Sequence, residues 1–223
     1  MLSLCLLVLL STPAVGQSPS DTSRTVPPAR RPSLFTSSLT GSALWTQGPL
    51  REAAGARVSG IHGSMEVRYA RMSVGLEIMG SNMGGTATVD NRSGKASAVE
   101  RTLGMTRVSA FGQFGPYVGP VRPYGEVILG VNVLSSSIDG PEGEDEMNAV
   151  AAAAGIGIGV EVGLPTTIEE ALALPSTALR VEGRHVFGGP AEYHAYDPEN
   201  AAFSTRAANT TVSSFSVGLT LNF

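Results

Sequence analysis

Charged residues are scarce in this sequence: lysine, arginine, aspartate and glutamate make up 15% of its 223 residues, against about 25% in typical soluble domains. Aromatic residues reach only 6%. The single cysteine, Cys5, lies near the N-terminus, so the rest of the chain cannot form a disulfide framework. No apolar run reaches the length of a transmembrane helix. The net charge of −4 and the lack of a basic cluster argue against a nucleic-acid partner.

The N-terminal segment resembles an export signal. Residues 2–10 form a short apolar block of the length of a signal-peptide core, although no lysine or arginine precedes it. Small residues at Ala14 and Gly16 predict cleavage before Gln17. Cys5 lacks the small preceding residue of a lipoprotein cysteine, so lipidation is not expected. We assign residues 1–16 to a signal peptide, 17–32 to a flexible proline-rich tail and 33–223 to a folded domain.

Beyond residue 33 the apolar residues recur with a period of two, which is typical of half-buried β-strands. Glycine is abundant here, whereas the helical period of 3.6 is absent. Eight alternating segments are predicted at Leu34–Thr46, Val58–Ala70, Met72–Gly80, Met105–Tyr117, Tyr124–Ser135, Val150–Leu164, Ala178–Phe187 and Thr211–Phe223.

The two faces of these segments differ in charge. Large apolar residues occupy one face, most clearly Phe215, Val217, Leu219, Leu221 and Phe223 in the last segment and Ile156, Ile158 and Val160 in the sixth. The opposite faces bear all the charges, namely Glu66, Arg68, Glu77, Arg107, Glu126, Glu161, Arg180, Glu182 and Arg184. A cation at mid-bilayer on the lipid face costs about 2–4 kcal/mol. The alternation therefore predicts an all-β, eight-stranded antiparallel up-and-down transmembrane β-barrel, with the apolar face toward lipid. A soluble lipocalin-like barrel, with the faces reversed, is the alternative.

The connections between the segments alternate in length. Those around residues 70–71 and 119–123 are short, whereas 81–104, 136–149 and 188–210 are long and polar. Short turns at one end and long loops at the other are typical of outer-membrane barrels. The connection 165–177 is longer than expected for the short end, and its flanking prolines predict a helical turn.

The chain resembles the small outer-membrane β-barrel families typified by OmpA, OmpX and the opacity proteins. The similarity covers residues 33–223 and rests on SFSVGLTLNF, RPYGEVILGVNV, GIGIGVEVGL and LRVEGRHVF. It implies four surface loops and a monomer in the outer membrane of a Gram-negative-type bacterium, in contact with outer-membrane lipid and lipopolysaccharide. The terminal Phe223 resembles the signal read by the barrel-assembly machinery. No particular activity is implied.

His62, Ser64 and Glu66 share one face of the second segment, and a histidine, a serine and an acid are the components of an activated nucleophile. The sequence therefore leaves open an outer-membrane lipid hydrolase, although a hydrogen-bonded lumen is the simpler interpretation. The charges of the polar faces similarly leave open a narrow porin-like channel. A salt-bridged plug is favoured, since an eight-stranded barrel is just wide enough for side chains to fill.

Two loop segments are weaker candidates for binding. Asp139, Glu142, Glu144 and Asp145 could bind a divalent cation, although a solvated surface loop is the favoured interpretation. Tyr193, His194 and Tyr196 could form a contact patch or anchor at the membrane surface. We expect no cofactor, and a non-enzymatic structural or surface-interaction role exerted by the extracellular loops on an unidentified partner.

Overall fold

The computed structural model describes residues 34–55, 57–90, 97–116, 119–140, 143–171, 175–197 and 202–223. The predicted signal peptide and proline-rich tail lie outside these residues. Among the described residues, no helix is long and apolar enough to cross a membrane.

Eight strands form a closed antiparallel barrel in the order β1-β10-β7-β6-β5-β4-β3-β2. Each of the eight predicted segments coincides with one of them. The strands are β1 (Phe35–Thr46), β2 (Val58–Tyr69), β3 (Met72–Asp90), β4 (Ser97–Phe114), β5 (Val121–Gly140), β6 (Gly143–Gly163), β7 (Ser176–Gly188) and β10 (Val212–Asn222). The prediction of an all-β, eight-stranded antiparallel barrel is confirmed.

The barrel is strongly sheared. Following paired residues once around the barrel leads from Thr46 on β1 back to Thr36 on the same strand, a displacement of ten residues. For eight strands this displacement corresponds to a strand tilt of about 40°. The ten residue-to-residue steps from Phe35 to Trp45 therefore rise about 33 Å along the strand and about 25 Å along the barrel axis.

The two ends of the barrel differ. At one end, β2 and β3 are joined by a tight turn at Ala70, which has a positive φ of 55°. The helical turn predicted between β6 and β7 is α2 (Thr166–Ala171). At the opposite end, α1 (Pro49–Ala54) connects β1 to β2, and a separate two-stranded hairpin, β8 (Pro190–Asp197) with β9 (Ala202–Asn209), lies between β7 and β10.

The described parts of the long loops predicted at this second end are mostly paired strands. The pairing of β2 with β3 stops at Asn82, and that of β6 with β7 stops at Ala153. The four strands β3–β6 nevertheless continue to pair with one another, as far as Gly140 opposite Gly143. Their extensions form a sheet that projects beyond the barrel, here called the projecting sheet, comprising residues 85–90, 97–104, 134–140 and 143–152.

A β-bulge marks the point where β3 leaves the barrel. The register of β3 against β4 shifts between Asn82 and Gly85. Gly84 adopts a φ of 88°, a left-handed conformation that glycine adopts at little cost. Its N–H donates to Asn82 Oδ1 at 2.9 Å. Because a bulge bends the strand that contains it, the projecting sheet is expected to curve relative to the barrel wall.

Candidate functional site: the closed lumen and its outer end

The outer face of the barrel is apolar. Of the residues predicted to face lipid, Ile158 is 74% and Phe215 49% exposed; Val217, Leu219, Phe223 and Ile156 are also exposed, and Leu221 and Val160 are partly so. Exposed aromatic residues lie near both borders of this surface. Phe35, Tyr69, Phe114 and Phe223 lie at the short-turn end, and Trp45 and Phe187 at the other. Such girdles flank the apolar band of membrane barrels.

The charged residues of the strands lie inside the barrel. All nine that the sequence places on the polar faces are buried. Arg122, which the sequence analysis missed, joins them through Glu161 at 3.5 Å. It lies near the start of β5, where a single charge beside prolines gave no periodic signal. With Arg122 the lumen contains five arginines and five glutamates, so its formal charges balance.

The ion pairs begin at the short-turn end of the lumen. Arg68 bonds to Glu66 on its own strand and reaches Glu161 across the barrel at 2.6 Å. Arg68 also donates to Asn222 Oδ1 at 3.0 Å. These contacts join β2, β6 and β10, which are not all neighbours in the sheet, so they brace the barrel from within.

The middle of the lumen is built around two arginines of β7. Arg180 pairs with Glu182 at 2.9 Å and lies 3.5 Å from Glu126. Arg184 pairs with the same two carboxylates, at 2.8 Å from Glu126 and 3.4 Å from Glu182. Tyr124 donates its hydroxyl to Glu182 at 2.8 Å, and the Arg180 guanidinium lies 5.0 Å from the tyrosine ring centroid. These contacts pack the side chains of β5 and β7 against one another inside the barrel.

Glycines on β6 make room for these side chains. A Cβ at Gly159 would lie 2.4 Å from the Tyr124 ring, and one at Gly157 would lie 3.0 Å from the Arg184 side chain. The alternating glycines of this strand therefore accommodate the large residues of the lumen. They belong to no nucleotide-binding loop.

Glu77 lies at the end of the ion-pair network that is nearer the projecting sheet. Its carboxylate accepts from Arg107 Nη2 at 3.2 Å and also bonds to Arg184. Arg107 is fully buried. Within the described residues, Glu77 is the only carboxylate within ion-pair distance of Arg107. Burying a charge is costly unless it is paired, so the position of Arg107 depends on Glu77.

His62, Ser64 and Glu66 do not assemble into a nucleophile with its base. All three are buried in the lumen. His62 Nε2 lies 3.1 Å from Glu182, and Ser64 Oγ bonds to Ser38 Oγ at 2.6 Å. Glu66 belongs to the ion pairs described above. The hydrolase hypothesis therefore lacks the serine–histidine hydrogen bond that activation requires.

Toward the projecting sheet, the interior of the barrel also contains many buried apolar residues, which the alternation did not predict. One cluster of buried residues fills it: Leu44, Leu50, Val58, Met79, Met83, Leu103, Met105, Phe111, Ile128, Leu134, Ala151, Ala153, Val186, Ala191, Tyr193, Ala195, Ala208 and Val212. Its members come from the barrel, the projecting sheet, α1 and the β8–β9 hairpin. The interior thus contains two kinds of packing, an ion-pair network and a cluster of apolar residues.

The projecting sheet, α1 and the β8–β9 hairpin form one folded unit, here called the head. Arg101 links its parts by donating to the carbonyl of Ala53 in α1 at 2.5 Å and to that of His194 in β8 at 3.2 Å. The His194 N–H donates to Ser136 Oγ on the projecting sheet at 3.2 Å. Burial raises the pKa of the Tyr193 phenol in this core.

The prediction that Tyr193, His194 and Tyr196 form a contact patch is wrong for the first two. Tyr193 and His194 are buried in the head, and the structure does not describe the side chain of Tyr196. The acidic segment shows no metal site in the part of it that the structure describes. Asp139 and Asp145 are exposed, Glu142 and the side chain of Glu144 lie outside the description, and no group of three potential ligands occurs among the described residues.

No protein-family model matches the sequence, and no curated protein matches it. Solved structures with a similar fold include Neisserial surface protein A, which is 14% identical, with a TM-score of 0.52 over 87% of this chain and 100% of that one. They also include the attachment invasion locus protein Ail of Yersinia pestis (10% identical, 85% of this chain, 96% of that one, TM-score 0.47). The N-terminal β-barrel domain of Pseudomonas aeruginosa OprF is a third, 10% identical, with a TM-score of 0.42 over 86% of this chain and 100% of that one. The identities are low, so the likeness concerns architecture alone: the chain has the fold of the small eight-stranded outer-membrane β-barrels.

Proposed function

We propose that this protein is an integral outer-membrane barrel that does not conduct solutes and that acts through its folded extracellular head. The observation that supports the membrane location best is the distribution of side chains. Large apolar residues surround the barrel, and the buried ion pairs lie inside it. A soluble monomer rarely exposes an apolar patch above several hundred Å², whereas hydrocarbon solvates such a belt.

The height of the belt supports the same conclusion. Phe35 and Trp45 delimit about 25 Å along the barrel axis at the observed shear. The apolar band of outer-membrane barrels is about 25 Å tall. The start of β1 and the end of β10 both lie at the short-turn end, which faces the periplasm in such barrels. The head then lies outside the cell.

The closed interior argues against the channel hypothesis. Ion pairs among five arginines and five glutamates cross-link the wall, and a cluster of buried apolar residues lies between them and the head. Opening a path would separate several buried ion pairs, each of which costs several kcal/mol when broken. A structural or surface-interaction role, exerted by the head, fits this arrangement better. Lipopolysaccharide is the expected lipid neighbour, and the terminal Phe223 is the expected contact for the barrel-assembly machinery.

Fractionation followed by gel electrophoresis, with and without boiling, tests the location. The protein should require detergent for extraction, and the unboiled band should migrate differently from the boiled band because a closed barrel resists the detergent. Purified protein in planar bilayers should give no conductance steps. Extraction without detergent would contradict the membrane location, whereas regular conductance steps would contradict the closed lumen alone.

A further inference from the structure

A histidine and a serine form a polar pair on the outer, lipid-facing side of the barrel wall. His185 on β7 and Ser213 on β10 lie directly opposite each other, and His185 Nδ1 lies 2.8 Å from Ser213 Oγ. Both side chains are part-buried and share their face of the wall with the exposed Phe187. Within the described residues, His185 is the only histidine whose side chain bonds to a serine. This is the bond that His62 and Ser64 lack inside the lumen.

The pair lies just inside the border of the apolar belt. Phe187 and Trp45 mark that border at the head end. His185 precedes Phe187 by two residues on β7, which places it about 5 Å deeper along the barrel axis at the observed tilt. Aromatic residues lie at the headgroup level of a membrane, and the ester bonds of lipids join acyl chains to headgroups directly beneath that level. The Ser213 hydroxyl therefore lies at the depth of these esters.

A shallow groove continues from the pair into the belt. Gly183 lies two residues deeper on β7, and a Cβ built there would meet only the Ser214 carbonyl oxygen, at 4.0 Å. The neighbours of this glycine across the sheet are Phe215 and Ile158, which are both large and exposed. Two projecting side chains with a bare glycine between them leave a groove on the lipid face. Its width suits a single acyl chain, whose ester would then lie at the upper end of the groove, beside the serine hydroxyl.

We propose that Ser213 and His185 are the nucleophile and the base of a further activity, the hydrolysis of ester-linked acyl chains of outer-leaflet lipids. In the tautomer with its proton on Nε2, His185 accepts the hydroxyl proton at Nδ1 while Ser213 Oγ attacks the ester carbonyl carbon. The histidine returns this proton to the departing lipid alcohol, and the acyl chain stays on Ser213. Water then attacks the acyl-serine ester, again with His185 as the base, and releases the fatty acid and the free serine.

The ring of His185 is held in position by an aromatic neighbour. Phe187 contacts it edge to face, with 4.5 Å between the ring centroids. The base is thus oriented by packing rather than by an acidic third residue. This inference rests on the proposed membrane location and orientation, whereas it is independent of the role proposed for the head.

A serine-directed reagent tests the nucleophile on the intact protein in detergent micelles. The reagent is a fluorescent fluorophosphonate with a long alkyl chain. The parent protein should be labelled covalently, and mass spectrometry of its peptides should place the label on Ser213. Ser213→Ala should abolish the labelling, and His185→Gln, which removes the base, should slow it at least about hundredfold. The matched control is Ser59→Ala, because Ser59 is exposed on the same face at the head end of β2 and pairs with no histidine.

The substrate is tested with the protein reconstituted in two kinds of vesicle, one of phosphatidylethanolamine with phosphatidylglycerol and one that also contains lipid A. The parent protein should release free fatty acid from at least one kind, and the chain released identifies the lipid that supplies the ester. Ser213→Ala should lower the release at least about hundredfold. Gly183→Leu fills the groove. It should slow labelling by the long-chain reagent about tenfold, the effect of displacing about two methylene groups, and should slow labelling by the short diisopropyl fluorophosphate less.

Labelling that persists in Ser213→Ala, a label mapped to another serine, or no fatty acid from either kind of vesicle would overturn the proposal. Because the labelled residue is mapped in the parent protein, the test does not depend on the folding of the variants. The heat-dependent gel shift is recorded on the same sample. A normal shift without labelling overturns this inference alone, whereas a parent protein without the shift overturns the proposed barrel location as well.

Discussion

Replacing Glu77 by glutamine is expected to lower the free energy of unfolding by about 3–5 kcal/mol, the cost of leaving a buried charge without its partner. Glu77 accepts from Arg107 at 3.2 Å. Arg184 keeps two other carboxylates, whereas Arg107 has no other within ion-pair distance among the described residues. Glutamine has nearly the same volume, so the loss measures the uncompensated charge of Arg107 rather than a cavity.

A second substitution tests this reasoning. In the double variant Glu77→Gln/Arg107→Met, the unpaired cation is replaced by an apolar side chain of similar length. Most of the lost stability should return, because a buried ion pair is often replaceable by apolar residues at little cost. The matched control is Glu100→Gln on the exposed face of the projecting sheet, which should change the free energy of unfolding by less than about 0.5 kcal/mol.

Unfolding by urea can be followed through the only tryptophan, Trp45, on the outer face of β1. Its emission should shift to longer wavelength when the residue passes from micelle or lipid to water. The reasoning would be refuted if Glu77→Gln cost no more than Glu100→Gln, or if the double variant were less stable than the single one.

Three further substitutions probe the belt, the lumen and the head. Leu76 lies midway along the outer face of β3, so Leu76→Arg should cost about 2–4 kcal/mol in a bilayer unfolding assay, whereas Thr102→Arg, above the belt, should cost little. Gly159→Val should displace the Tyr124 ring and lower the urea midpoint by an amount typical of overpacking, about 1–3 kcal/mol. Arg101→Ala removes the hydrogen bonds to Ala53 and His194 through which Arg101 ties α1 to β8. It should speed proteolysis of the β8–β9 hairpin without changing the heat-dependent gel shift; unchanged proteolysis would contradict the linking role.

The barrel could be predicted from the sequence because every second residue of each strand faces lipid and is therefore uncharged. Exclusion of charge from one face is a strong signal in strands such as β7, where Arg180, Glu182 and Arg184 share a parity, and in β10, where five large apolar residues alternate with small ones. Paired charges inside the lumen follow from the narrowness of an eight-stranded barrel. The partners of each charge depend on the shear, which no single strand encodes.

The head was missed because its core gives no periodic signal. Alanines such as Ala151 and Ala153 form much of one wall, and small residues weaken the contrast between the two faces of a strand. The surrounding serine, glycine and acidic residues are common in loops, so residues 136–149 resembled a loop although they form paired strands. The apolar layer was missed for a related reason. The buried methionines and leucines of β3 and β4 occupy alternating positions that face the lumen, where a membrane barrel is expected to have polar side chains.

The orientation of the two faces is tested most directly by labels introduced at single cysteines, since the predicted cleavage before Gln17 removes Cys5, the only native cysteine. Spin labels at Ile158 and Leu219, on the apolar belt, are compared in reconstituted membranes with one at Ser137, on the projecting sheet. The belt labels should collide with dissolved oxygen and be shielded from a water-soluble nickel chelate, while the label at Ser137 should be open to the chelate. Equal access of the chelate to all three positions would show that water, rather than lipid, surrounds the barrel.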